Sequence, residues 1–182
     1  MDALTIVVRQ AENNAWSNFR LHRACALLTD AEYAATRTSF FPSIKATLEH
    51  IYLCDLYYLD ALRKGGRGRA MYFEPDPTFA TCALLSTEQR AVDRALLDHV
   101  ASLPDARALD EVIVIPRRDH DQRERVGDVL QHLFQHQIHH RGQAHAMLAG
   151  THVTPPQLDE LFLAEELPLR EADLRELGLP VR

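Results

Sequence analysis

DQRERVGDVLQHLFQHQIHHRGQAHAMLAG, residues 121–150, contains no proline and closes on a glycine, as expected of one long helix with its stop signal at Gly150. At about 100° per residue, Val126, Val129, Leu130, Leu133, Ala144, Met147 and Leu148 gather into one apolar arc. A helix with such a stripe buries it against neighbours, so the segment predicts a helical bundle. His136 and His140 fall inside the arc. His132 and His139 lie at its edge and His145 points away. The six histidines between His132 and His152 are therefore crowded in sequence without forming one cluster in space.

Outward from this helix, the rest of the chain supplies partners for it. Only seven glycines occur in 182 residues, three of them at Gly65, Gly66 and Gly68, so breakers are few. A first helix is expected from Ala3 to Leu28, with Trp16, Phe19, Ala24, Leu27 and Leu28 among its apolar positions and Thr29-Asp30 closing it. Ala31 to Thr38 adds a helical turn or two. A second long helix, Ile44 to Lys64, with Ser43 as its cap, is apolar around most of its circumference: Ile44, Leu48, Ile51, Leu59 and Leu62 on one side, Leu53, Cys54 and Tyr57 on the other. MYFEPDPTFATCALLS, with Pro75 and Pro77, reads as irregular. A third runs from Ser86 or Thr87 to about Ser102, packing through Leu96, Leu97 and Val100. EVIVIP favours an extended conformation, pairing with Met71–Phe73 or lying across the bundle. The tail from Pro155 predicts one or two short peripheral helices.

Composition narrows the function. The length is that of a single domain, residues 1–182, and the apolar and charged fractions of 46% and 25% are those of a globular protein. A net charge of -6 argues against a nucleic-acid binder, since KGGRGR and PRRD are short and flanked by acids. No stretch is long enough to span a membrane and the N-terminus lacks a secretory pattern, so a cytoplasmic protein without a membrane partner is expected. Cys25, Cys54 and Cys82 form no CxxC pair and are expected as free thiols.

The chemistry concentrates in the histidines. His136 and His140 are four residues apart, so both rings can turn toward one ion. A catalytic site for a divalent metal takes about three protein ligands and keeps a position open. His50, the only histidine of the second helix, is the best candidate for the third, because bundles build sites from side chains of facing helices. His132 is eight residues from His140, about 12 Å along the helix, too far to share an ion. Cys54, four residues after His50, is either a further ligand closing the site or a small buried hydrophobe. Gln143 is placed to bond a ligand ring or line a pocket, and Arg141 to bond a carboxylate at a helix or subunit boundary. Glu49 and Asp55 receive no assigned role.

HLFQHQIHHRGQAHAMLAG, with a histidine three residues before an HHRGQ phrase, resembles the last bundle helix of the DinB-like family. NNAWSNFRL in the first helix, LEHIYLCDLYYL in the second and TPPQLDELFL after the fourth extend the resemblance over most of the chain. It implies an all-α, up-down-down-up four-helix bundle, often dimeric, with His50, His136 and His140 as metal ligands. It also implies, more loosely, metal-dependent transfer of low-molecular-weight thiols.

Two functions follow as expectations. One is an enzyme whose divalent ion, Zn or Ni, activates water or a thiol for transfer or hydrolysis of a small substrate. The other is a non-enzymatic, stress-associated dimeric bundle whose metal is structural or sensory. Three imidazoles do not choose among Zn, Ni, Cu and Fe.

Overall fold

Polar caps open three of the four long helices in the computed structural model, which describes residues 1–182. The Asp2 side chain accepts from Thr5 N and opens α1 (Ala3–Cys25), and Thr29 and Glu32 form a reciprocal capping box on the short α2 (Asp30–Ala34). Ser43 accepts from Ala46 N to open α3 (Ile44–Leu62), and Thr81 accepts from Leu84 N to open α4 (Cys82–Ala101). A hairpin of β1 (Val112–Pro116) and β2 (Asp121–Arg125) leads into α5 (Val126–Ala149), which ends at Gly150, and α6 (Leu167–Leu177) closes the chain. No helix is long and apolar enough to cross a membrane.

Contacts between side chains fix the helix directions. His22 near the end of α1 meets Cys82 at the start of α4, while Asn18 and Asn14, earlier in α1, both donate to Asp93 further along α4, so these helices run antiparallel. Along α3 and α5, His50 meets His136 while Tyr58 meets His132, which is again antiparallel. α1 and α5 run parallel, with Ala3 and Ile6 beside Gly127 and Asp128 and Ser17 beside Arg141 and His145. The bundle is therefore up-down-down-up. Trp16, Leu21, Leu48, Ile51, Leu96, Leu130, Leu133 and Leu148 form the middle of its core.

Several expectations change. α1 ends at Cys25, three residues early, which leaves Leu27 69% exposed, and Thr29 caps α2 instead of closing α1. α4 starts a turn before Ser86, because Thr81 offers a hydroxyl acceptor free of the prolines upstream. Met71 does not pair with EVIVIP: Ala70–Tyr72 is a single 3₁₀ turn. The strand's partner is instead Asp121–Arg125, antiparallel from Val112↔Arg125 to Pro116↔Asp121, so the last helix begins at Val126 and not near Asp121. DQRER has no apolar side chain to bury, but the ladder needs only its backbone, and Arg117 N donating to His120 O at 2.9 Å closes the turn. Ile113 and Ile115 point inward and Val112 and Val114 outward. Tyr57 OH donates to Pro116 O at 2.8 Å, tying the hairpin to α3. A side chain at Gly68 would stand 3.2 Å from the Tyr57 ring and 3.3 Å from Pro116, which accounts for glycine where the loop crosses this junction.

Candidate metal centre

His50 of α3 and His136 and His140 of α5 face one another across the crevice between their helices. Their ring nitrogens lie within 4.8 Å of one another. His50 Nε2 and His136 Nε2 are 3.0 Å apart, and the His140 ring is 4.7 Å from that of His50 and 4.4 Å from that of His136. Burial, reinforced by the neighbouring rings, pushes His50 down to about 4 and His136 down to about 3; burial also lowers His140. Neutral imidazoles have one lone pair each. His140 Nδ1 is 2.8 Å from Gln143 Oε1, an acceptor, so Nδ1 carries the proton and Nε2 is the lone-pair nitrogen. Two Nε2 atoms at 3.0 Å with a third ring against them, all disfavouring protonation, form a donor set that fits a divalent cation able to bind imidazole.

Other expected residues separate from this group. His132 and His139 are exposed, and His145 Nε2 bonds to Pro156 O at 2.9 Å on the far side of α5. Cys54 Sγ lies 3.6 Å from His50 Nε2, beside the trio but outside it, and burial pushes its thiol up to about 12. Gln143 is the ring partner expected of it, holding His140 and reaching His139 Nε2 at 3.1 Å. Arg141 is different: it is fully buried and donates to the Asn14 and Asn18 amide oxygens instead of to a carboxylate. All three cysteines are free.

Sequence reasoning missed two features around the site. Phe41 packs on the tri-histidine rings, 4.3 Å from His50 and 5.4 Å from His140, with Phe40 outside it and 76% exposed. Behind the histidines runs a buried polar network. Gln137 Nε2 donates to Asp55, Gln89 Nε2 bridges Asp55 and Asp93, and Asn14 and Asn18 join Asp93 to Arg141. Alternation offered a signal: every second partner in His50/Ile51, Cys54/Asp55, His136/Gln137 and His140/Arg141 turns to the core side. Glu49 is occupied structurally, accepting from Phe79 N at 2.8 Å and so holding the long loop on α3.

A concavity of about 730 Å³ lies between the N-terminal part of α1 and the start of α5 and is lined by no histidine or cysteine. Size does not mark the chemistry in this protein. The converging donors do.

An up-down-down-up bundle with a tri-histidine cluster that could hold a metal ion, carried by its second and last long helices, is the class that fold and site define. The model of the DinB family matches residues 4–171, and the chain belongs to that family. The crystal structure of a DinB-like protein from Bacillus cereus ATCC 10987 matches with a TM-score of 0.58 at 18% identity, over 78% of this chain and 90% of that one. At that identity the likeness speaks for the fold. No curated protein shows significant similarity to the chain.

Proposed function

We propose that the protein is a metal-dependent enzyme that uses His50, His136 and His140 to hold one divalent ion, Zn or Ni, at which a low-molecular-weight thiol or a water is activated. The observation that carries this reading is the convergence of three neutral imidazoles on one point, with ring nitrogens within 4.8 Å. A bound divalent ion lowers the pKa of a water or thiol attached to it toward neutrality, supplying a nucleophile at ordinary pH. The chain's own residues hold and shape the site. Gln143 fixes the tautomer of His140, Phe41 covers the rings of His50 and His140, and the α3–α5 hydrogen bond from Gln137 to Asp55 sets the spacing of the two ligand-bearing helices. His50 and His136 are only half-buried, which favours an accessible site over a closed structural one.

Elemental analysis of the untagged protein, reconstituted with Zn or Ni, tests the centre. About one ion per chain is expected for wild type, Cys54→Ala and His145→Ala, and loss of the ion for His50→Ala, His136→Ala and His140→Ala. Cobalt substitution then reads access: a low-molecular-weight thiol should shift the visible spectrum. Metal-free wild type after reconstitution would remove the enzyme reading, and an unresponsive cobalt spectrum would leave a structural or sensory metal. Exposed Ile6, Ile138 and Phe162, bordering the concavities between α1 and α5, support a homodimer as part of this proposal, and sedimentation velocity checks it.

A further inference from the structure

Beside the tri-histidine cluster is a cavity of about 260 Å³ that the metal reading leaves unexplained. Tyr57 and Tyr58 of α3, Met71 and Tyr72 of the long loop, and Arg117 of the hairpin turn line it, and Cys54 joins it to the histidines, its Sγ 3.6 Å from His50 Nε2. The volume is somewhat below that of drug-sized ligand sites, about 300–1,000 Å³, so it suits a small molecule.

Arg117 gives the cavity its character. Its guanidinium lies over the Tyr57 and Tyr58 rings, 5.6 and 5.9 Å from their centroids, and is held by Nε donating to Gln122 Oε1 at 2.7 Å. Its other partners are tyrosine hydroxyls, that of Tyr72 and, at a long 3.5 Å, that of Tyr58. Three basic side chains around it each have an acid, Lys64 with Glu111, Arg67 with Glu74 and Arg69 with Asp121, whereas the exposed Arg118 lies over the Phe73 ring. Arg117 has no acid, although it is half-buried and pre-positioned by the turn that Tyr57 anchors. Asp76, the one acid on the cavity wall, makes no ion pair with it and bears instead on His50 and Cys54. A half-buried fork of donors facing an aromatic cavity, with no carboxylate paired to it, is a receptor for a planar bidentate anion.

We propose that this cavity binds the body of a small organic acid, with its carboxylate on Arg117 and its apolar or unsaturated portion between Tyr57, Tyr58 and Met71, so that its other end meets the tri-histidine cluster. This names the second anchor of the substrate and rests on the proposed function for what happens at the first. The turn residue Arg117, which the sequence shows only as part of the basic phrase PRRD, is then the residue that sets specificity.

The test compares cinnamate with cinnamamide, an acid and its neutral isostere, by isothermal titration of metal-free and zinc-loaded protein. Wild type should bind the acid about tenfold or more tightly than the amide in both forms. Arg117→Gln should abolish that preference, Arg117→Lys should retain part of it, and Arg118→Gln, at the exposed neighbour, should retain all of it. Equal affinities, no binding of either probe by wild type, or a preference that survives Arg117→Gln would overturn the proposal. A preference present only with zinc would overturn it too, because the ion would then be the anion receptor. An acid preference in a protein that takes up no zinc would support the cavity and sink the metal centre instead, and the wild-type acid-to-amide ratio remains decisive should Arg117→Gln fail to fold.

Discussion

Gln143 illustrates how much a single uncharged side chain contributes at this site. Its Oε1 accepts from His140 Nδ1 at 2.8 Å, and without that acceptor the ring is free to rotate or change tautomer. Gln143→Leu should weaken zinc affinity about 10- to 100-fold while leaving the fold intact. Gln143→Glu, which keeps an acceptor at that point, should retain it. Competition against a chromophoric chelator measures both; an unchanged affinity in Gln143→Leu would show that packing alone orients His140. His22 is a contrasting case. It is buried with neither ring nitrogen bonded, and burial holds it neutral, down to about 4, but it belongs to no cluster of three donors.

Among the elements, the hairpin is the one whose position depends least on its own sequence and most on what it packs against. Ile113 and Ile115 are 2% and 1% exposed, whereas Val114 between them is 37% exposed. Ile115→Ala should destabilise the protein by about 2–5 kcal/mol, and Val114→Ala, on the solvent side, by well under half of that. Urea unfolding of the two variants checks the difference, and equal costs would mean that the hairpin is not pinned to the bundle. The consequence reaches the site, since β1 and its turn carry Arg117 and hold it against Tyr57. VIVIP announced an extended segment through its β-branched residues. DQRER gave no such signal, because a ladder asks only for backbone groups at the right place.

At the scale of the molecule, the bundle is held through its centre by a network containing two carboxylates and one guanidinium, all fully buried. Burial pushes Asp93 up to about 7, and burial with the charge of Asp93 raises Asp55 well above the carboxylate range, while burial lowers Arg141 to about 10. One shared proton makes the network electrically neutral. A carboxyl whose folded pKa is raised stabilises the fold fully below its unfolded value, about 3.9, and loses that contribution as pH rises through the folded one. Stability of wild type relative to Asp93→Asn should therefore fall between about pH 4 and pH 7, by at most about 1.4 kcal/mol per pH unit. Chemical denaturation across that range reads it; a flat difference would place the proton elsewhere.

The apolar arcs, the caps at Ser43 and Gly150 and the spacing of His136 and His140 were legible in the sequence because each depends on neighbours within a turn or two of helix. They fixed an all-α bundle and selected His50, His136 and His140 as the residues to watch. Spacing could not report that Gln137, Asp55 and Asn14, polar by type, are core residues, since their burial is offset only by a network that crosses all four long helices. Nor could it place Arg117, whose significance comes from an unpaired charge beside an aromatic cavity. Local periodicity belongs to the sequence; which polar groups meet, and which are left without a partner, is decided only when distant segments pack.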